Sequence, residues 1–141
     1  VFHGKDLTLS LAVPEPHPLC RLQPAAIYRN IHSALLRVVV ESLAGARLAE
    51  EADCCAGPAC FQSPARDDLL FDGKKIGGGA LRRGRNGILY QGSLHGDFLP
   101  RRLADSLSAR VVPFQPTASL LALSTELEKG KYGTSSWNQM R

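Results

Sequence analysis

Two turn signals, Asp72-Gly73 and Asn86-Gly87, constrain the fold of this chain more than any other feature of its sequence. Each lies between short runs of strand-forming residues, and Asn, Asp and Gly favour the positive φ angles of tight hairpin turns. The two signals therefore predict a three-stranded antiparallel meander. Its strands are expected over residues 68–71, 74–82 and 88–94.

Apolar periodicity predicts the elements that precede this meander. Leucines alternate with polar or small residues over 6–13, which is typical of a half-buried strand. Helical spacing of apolar residues predicts a helix over 24–43, with Pro24 in its first turn and Gly45 as its stop signal. The chain therefore enters the meander after one strand and one long helix.

Further helices are expected after the meander. The pattern predicts them over 101–107 and 117–129, and Thr134 is a candidate cap for a last short helix that carries Trp137. A strand, a helix, a meander and then helices predict an α+β fold. The length of 141 residues favours a single domain, 1–141.

Composition excludes several classes of protein. Hydrophobic residues make up 44% of the chain, which argues against general disorder. The net charge of +4 is weak support for nucleic-acid binding, and the cluster Arg82, Arg83 and Arg85 has only Tyr90 and Phe98 nearby as stacking residues. No apolar run approaches the ~20 residues that cross a bilayer. We therefore expect a cytoplasmic protein without nucleic-acid or membrane partners.

Cysteine and histidine spacing gives no metal site. The cysteines are Cys20, Cys54, Cys55 and Cys60, and the histidines are His3, His17, His32 and His95. The cysteines lack paired CxxC spacing, and the histidines form no known ligand motif. We expect reduced thiols and no bound metal.

The glycine-rich stretch "DGKKIGGGALRR" fits neither common nucleotide-binding motif. No GK[ST] follows the glycines, and Arg82 occupies the position of the last glycine of GxGxxG. Three glycines within a strand indicate either close approach of a ligand or another backbone, or a bulge or bend in the sheet. If the strand alternates regularly, Lys75, Gly77 and Gly79 share one face. Lys75 is then either a group that holds a developing oxyanion over a floor without side chains, or a solvated strand lysine.

Cys60 has two interpretations on the residues alone. A thiol becomes a nucleophile when a nearby cation lowers its pKa, and Lys75, Arg82 or Arg83 are candidate cations. A lone cysteine between Ala59 and Phe61 is more typical of a small buried side chain.

The segments "DDLLFDGKKIGGGALRR" and "GILYQGSL" resemble the lipoate-protein ligase A and octanoyltransferase branch of the biotin/lipoate protein ligase family. The opening "VFHGKDLTLSLAVP" and the ending "EKGKYGTSSW" resemble other parts of the same family. The resemblance implies a mixed or antiparallel curved sheet with flanking helices. It also implies transfer of a lipoyl or octanoyl group to a lysine of a lipoyl carrier domain or a glycine-cleavage H-type protein.

The resemblance also implies roles for particular residues. Lys75 matches the family's essential lysine, which contacts the activated acyl carbonyl or its phosphate, and Asp68 matches the acidic position ahead of it. The implied substrate-binding residues are Gly77, Gly78, Gly79 and Ala80 on one strand, and Gln91, Gly92 and Ser93 on the next. Ligases of the family often have histidine where Gln91 stands.

Cys60, Phe61, Pro64 and Lys75 resemble the pattern of a cysteine-dependent octanoyltransferase subfamily. Such an enzyme takes octanoate from acyl carrier protein as a thioester on Cys60 and needs no cofactor. A ligase would instead activate lipoate with ATP and Mg²⁺. A non-catalytic remnant that binds an acyl group or a lipoyl domain is the remaining alternative. The family's arginine- and glycine-rich motif would precede Val1, so the resemblance implies the C-terminal, incomplete part of a catalytic domain.

Overall fold

The computed structural model describes residues 6–54, 63–108 and 115–134. The chain divides into two compact units, Val1–Val111 and Val112–Arg141. Each unit is described by itself, and the expectation of a single domain stays a prediction. The first unit contains the sheet and all the described candidate site residues.

Five strands form one sheet in the first unit, in the order β1-β5-β4-β3-β2, and every neighbouring pair is antiparallel. The strands are β1 Asp6–Pro14, β2 Arg47–Leu48, β3 Leu69–Phe71, β4 Lys74–Gly84 and β5 Gly87–His95. The predicted α+β class, the first strand and the meander are confirmed. The two-residue strand β2 was not predicted, because so short a segment shows no alternation.

Tight turns join the strands of the meander, and one of the two lies at the predicted residues. Asp72 and Gly73 take φ angles of 51° and 71°, as a primed turn requires, and they connect β3 to β4. Arg85 and Asn86 connect β4 to β5 and neither has a positive φ, so the second turn lies one residue before the predicted Asn86-Gly87 and is not of the primed type. Gly87 has a φ of 138°, and a Cβ there would lie 2.1 Å from the Val13 carbonyl oxygen, so only glycine fits beside β1.

A long helix, α1 Pro24–Ser42, covers one face of the sheet and confirms the predicted helix over 24–43. Its buried residues Ile27, Ile31, Leu35 and Val39 recur every four positions. They join one core cluster with Leu69 of β3 and with Ile88, Tyr90 and Leu94 of β5. We call this side of the sheet the inner face. The helix α2 Pro100–Leu107 adds Leu103 to the same core and confirms the predicted helix over 101–107.

The opposite side, the outer face, carries small and polar residues. Strand pairing places Thr8, Ser93 and Gly78 side by side, and places Ser10, Gln91 and Ala80 side by side one pair further along. Thr8, Ser10, Gln91 and Ala80 are exposed. Side chains on the outer face are therefore smaller and more polar than those on the apolar inner face.

The second unit contains α3 Ala118–Leu127, which continues as a wider turn over Glu128–Tyr132. The hydroxyl of Thr117 accepts the Leu120 N–H at 3.3 Å and caps the helix. The predicted helix over 117–129 is confirmed, whereas the last helix with Trp137 lies outside the described residues. None of the helices in the described ranges has the length and apolar composition to cross a membrane.

Candidate functional site

A β-bulge at Ile76 determines which side chains share a face with Lys75. Leu70 pairs with Lys75, but the preceding residue Leu69 pairs with Gly77. Ile76 is therefore an extra residue in β4, and alternation along the strand is broken there. The position of Lys75 relative to the three glycines follows from this bulge.

The expectation that Lys75 shares a face with Gly77 and Gly79 is wrong, because it assumed regular alternation. A Cβ at Gly77 would lie 2.8 Å from Leu94 Cδ1, and one at Gly79 would lie 2.6 Å from the Tyr90 ring, so both glycines lie on the inner face of the sheet. A Cβ at Gly78 would instead meet Lys75 Cε at 2.8 Å. Gly78 alone of the three glycines lies under the lysine.

Lys75 and Asp68 form a buried ion pair beside Gly78. Lys75 Nζ lies 2.7 Å from Asp68 Oδ2, and the two side chains are only 10% and 8% exposed. Asp68 Oδ2 also accepts the Ala65 backbone N–H at 2.7 Å. The interpretation of Lys75 as a solvated strand lysine therefore fails, whereas the neighbouring Lys74 is exposed. A cation fixed in this way can stabilise negative charge that develops on a nearby oxygen.

The backbone that carries Asp68 is tightly held. Asp67 has a φ of 67°, a left-handed conformation that is uncommon outside glycine. Its N–H donates to the Ala49 carbonyl at 2.9 Å, and the Ala49 N–H donates to the Asp68 carbonyl at 2.7 Å. Arg29 Nε donates to Asp67 Oδ1 at 3.0 Å. Contacts from α1 and from the end of β2 thus fix the turn before β3.

His32 of α1 contacts the same turn from inside the core. It is 1% exposed, with Nδ1 2.5 Å from the Asp67 carbonyl oxygen and Nε2 2.7 Å from the Tyr90 hydroxyl. A carbonyl only accepts, so Nδ1 carries the proton and Nε2 accepts from Tyr90. Burial lowers the pKa of His32, which favours this neutral form, and burial raises the pKa of the Tyr90 hydroxyl, which keeps its proton.

Tyr90 explains two of the strand glycines. A Cβ at Gly92 would lie 2.4 Å from the Tyr90 hydroxyl, and the ring also covers Gly79. The Tyr28 hydroxyl donates to the Gly79 carbonyl at 3.3 Å, and the rings of Tyr28, His32 and Tyr90 pack edge to face. Gly79 and Gly92 therefore make room for a buried aromatic side chain on the inner face.

The structure brings together some of the predicted site residues and separates others. Lys75, Asp68, Gly78 and Ser93 meet on the outer face, and the Ser93 hydroxyl is buried without a hydrogen-bond partner within the described ranges. Ala80 and Gln91 pair one step further along that face. The remaining predicted positions, Gly77, Gly79 and Gly92, lie on the inner face. The binding roles of all these residues stay predictions.

Sequence reasoning missed Tyr28, His32, Asp67 and Tyr90. A polar ring on the buried side of an amphipathic helix was the available signal for His32, which was considered only as a metal ligand. Among the residues that the structure describes, no group of three or more His, Cys, Asp or Glu side chains is suited to a metal ion. Cys20 is a free thiol, as expected. Cys60 lies outside the described residues.

Comparison with known families matches residues 1–124 of the chain to the lipoyl protein ligase A/B catalytic domain. The chain therefore belongs to the lipoyl protein ligase A/B catalytic domain family. This finding confirms the resemblance inferred from the glycine-rich strand and the segment that follows it.

Several curated relatives are named octanoyltransferases. Octanoyltransferase LipM of Brevibacillus brevis is 32% identical, with 67% of this chain and 37% of the relative aligned. LipM of Staphylococcus epidermidis is 35% identical over the same shares of the two chains. LipM of Halalkalibacterium halodurans is 31% identical over 74% of this chain and 41% of its own. This chain thus spans 37–41% of the length of these relatives.

Solved structures share the fold. Protein Ta0514 of T. acidophilum with bound lipoic acid superposes with a TM-score of 0.67 at 16% identity, covering 97% of this chain and 66% of its own. Lipoate-protein ligase A bound with ATP gives a TM-score of 0.65 at 17% identity, covering 95% and 65%. At these identities the likeness shows the fold alone.

Proposed function

We propose that this chain acts in protein lipoylation and transfers an octanoyl or lipoyl group to a lysine of a lipoyl carrier domain. The observation that carries this proposal is the buried Lys75–Asp68 pair beside Gly78, in a chain of the lipoyl protein ligase A/B family. Because the chain spans less than half of its curated relatives, the activity of the whole protein is part of the proposal.

Lys75 is the proposed electrostatic catalyst. Acyl transfer passes through a tetrahedral centre whose oxygen carries negative charge, and a fixed cation in a water-poor site stabilises that charge more than water does. Asp68 orients the ammonium through the 2.7 Å contact, and the Ala65 N–H holds the carboxylate in place. The absence of a side chain at Gly78 leaves room for this pair on the outer face, beside Ser93.

Octanoyl transfer through Cys60 is the form of the reaction that we favour. Support comes from the relatives named octanoyltransferases and from the sequence register between Cys60 and Lys75. The Cys60 thiolate attacks the thioester carbonyl of octanoyl acyl carrier protein. The carbon–sulfur bond to the carrier breaks, the carrier leaves as a thiol after taking up a proton, and an octanoyl-Cys60 thioester forms.

The second half of the reaction consumes this thioester. The acceptor lysine amine attacks the octanoyl carbonyl, an amide bond forms and the bond to the Cys60 sulfur breaks. The proton lost by the amine passes to the sulfur and restores the thiol. A lipoyl domain or a glycine-cleavage H-type protein is the proposed acceptor, and no nucleotide is consumed.

A second candidate is ATP-dependent lipoate ligation, favoured by the shared fold with a ligase bound to ATP. That reaction would require ATP with Mg²⁺. Asp68 already accepts hydrogen bonds from Lys75 and Ala65, and the described part of the chain holds no cluster suited to a metal ion. These residues do not fit a Mg²⁺ site, and we derive no step through the nucleotide.

Donor selection tests the proposal. The full chain is incubated with a lipoyl domain in two separate reactions. One contains octanoyl acyl carrier protein, and the other contains free lipoate with ATP and Mg²⁺. Intact-protein mass spectrometry then measures the mass of the lipoyl domain. We expect an octanoyl adduct with the carrier donor and none with lipoate and ATP. Modification only with lipoate and ATP would establish the ligase instead. Binding of the lipoyl domain without modification from either donor would identify a non-catalytic remnant.

A further inference from the structure

Hydrogen bonds connect β5 and α1 to the turn that carries Asp68. The Tyr90 hydroxyl donates to His32 Nε2 at 2.7 Å, and His32 Nδ1 donates to the Asp67 carbonyl at 2.5 Å. His32 and Tyr90 are both 1% exposed. Buried polar groups are costly unless every partner is in place, whereas an apolar residue at position 32 would fill the core without that requirement. Packing alone therefore does not account for a histidine here.

The carbonyl that His32 contacts belongs to the peptide group joining Asp67 to Asp68. Rotation of this peptide group would swing the Asp68 side chain, which lies 2.7 Å from Lys75 Nζ. Asp67 is in the left-handed conformation, which is uncommon for a residue other than glycine and is held here by surrounding contacts. Ala49 holds this turn from one side and His32 from the other.

We propose that His32 is a positioning residue for Lys75. Its Nδ1–H fixes the Asp67–Asp68 peptide group, which aims the Asp68 carboxylate and thereby holds the ammonium beside Gly78. Tyr90 takes part by donating to Nε2, which keeps the proton on Nδ1. The inference rests on the proposed role of Lys75 in acyl transfer, but the geometry of the pair is tested independently below.

Charged and titratable groups from several elements face His32. They are Asp67 and Asp68 before β3, Lys75 on β4, Tyr28 on α1 and Tyr90 on β5. The Tyr28 hydroxyl donates to the Gly79 carbonyl and the Tyr90 hydroxyl donates to His32 Nε2, so neither tyrosine offers the Asp67 carbonyl a second donor in place of Nδ1. We therefore expect loss of the Nδ1 donor to displace Asp68 and Lys75, since neither tyrosine replaces it.

Two substitutions of similar polarity distinguish the hydrogen bond made by His32 Nδ1 from the one made by Nε2. The amide nitrogen of asparagine is as many bonds from Cα as Nδ1, whereas that of glutamine is as many bonds away as Nε2. His32→Asn thus keeps a donor for the Asp67 carbonyl and loses the contact with Tyr90. His32→Gln keeps a group near Tyr90 and loses the donor to Asp67. Comparison of the two variants therefore distinguishes a positioning role of His32 from simple filling of the core.

Two readouts are measured on the full chain. The first is octanoyl transfer, resolved into kcat and KM. We expect His32→Gln to lose on the order of 10²-fold in kcat with KM little changed, because a displacement of about 1 Å is that costly, and His32→Asn to keep most of the wild-type rate. The second is the labelling rate of Lys75 by an amine-reactive reagent, with exposed Lys74 as internal reference. Labelling of Lys75 should rise in His32→Gln and stay at the wild-type rate in His32→Asn.

The results separate this inference from the proposed function. Equal losses of kcat in both variants, or wild-type labelling of Lys75 in His32→Gln, would overturn the positioning role. If the wild-type chain transfers no acyl group, the proposed function fails while the labelling still decides the positioning. Should His32→Gln not fold, His32→Leu replaces it, because leucine fills the core and removes the Nδ1 donor: faster labelling of Lys75 relative to Lys74 supports the role, and an unchanged ratio contradicts it.

Discussion

A methyl group on Gly78 would lie 2.7 Å from Oδ1 of Asp68, closer than folded proteins allow. The same methyl group would lie 2.8 Å from Lys75 Cε. Both contacts are with side-chain atoms that can move aside, so the fold can accept the methyl group but the ion pair cannot keep its geometry. The glycine is thus required by the site and not by the sheet.

Gly78→Ala should therefore impair activity while sparing stability. We expect octanoyl transfer to fall on the order of 10²-fold through misplacement of Lys75. The free energy of unfolding should change by less than about 1 kcal/mol, since Gly→Ala at a compatible backbone position alters stability only by that order. Transfer assays and urea unfolding on the same preparation measure the two effects. A variant that unfolds readily, or one with wild-type transfer, would show that Gly78 has another role.

Gly79→Ala and Gly92→Ala should show the opposite behaviour, because their methyl groups would collide with Tyr90. Overpacking of this kind costs about 1–3 kcal/mol. In a Tyr90→Phe background, Gly92→Ala should become less costly, because its closest contact at 2.4 Å is with the hydroxyl that Phe lacks. Gly79→Ala meets the ring itself at 2.6 Å and should gain less relief. Double-mutant cycles of unfolding free energy test this difference, and equal coupling at the two glycines would contradict the packing.

The free energy of unfolding should decrease as the pH is lowered, because His32 becomes protonated. Burial lowers the pKa of His32 in the folded chain below the ordinary value of 6.5, so the unfolded chain takes up a proton first as the pH decreases. The contribution of the neutral ring is complete above about pH 6.5 and is progressively lost below it. Urea unfolding between about pH 5 and 7.5 should show a steeper dependence in the wild type than in His32→Asn. If the free energy of unfolding depends on pH equally in the two proteins, His32 is not the source of that dependence.

The sequence allowed the meander and α1 to be predicted because their signals are local. Asp72-Gly73 specifies its own turn, and the four-residue repeat from Ile27 to Val39 specifies one buried helix face. The β-bulge at Ile76 depends on how β3 pairs with β4, which no local pattern reveals. The face of Lys75 was therefore assigned wrongly relative to Gly77 and Gly79.

The candidate site shows the same division. Lys75 and Asp68 were identified from the family resemblance, and the structure places them in contact. The role of His32 depends on a carbonyl 35 residues away and on Tyr90, 58 residues away. Contacts at such separations arise from the tertiary fold, so the sequence indicated only a polar ring on a buried helix face.

Cys60→Ala should abolish octanoyl transfer if the reaction passes through a thioester. Without the acceptor lipoyl domain, the wild-type chain should accumulate an octanoyl adduct on Cys60 that hydroxylamine removes, as expected of a thioester. Cys54→Ala is the matched control, because Cys54 is another cysteine, at a partly exposed position. Full transfer by Cys60→Ala would refute the thioester, while leaving the role of Lys75 to be judged separately.

Replacement of Lys75 tests the proposed function most directly, with its neighbour as control. The rate of octanoyl transfer from acyl carrier protein to a lipoyl domain is measured for the wild type, Lys75→Ala and Lys74→Ala. Removal of one group that stabilises a developing oxyanion typically lowers kcat by about 10²–10³-fold, so we expect a loss of that order for Lys75→Ala and near wild-type transfer for exposed Lys74→Ala. Wild-type transfer by a folded Lys75→Ala chain would contradict the assignment of the buried ion pair as the catalytic centre.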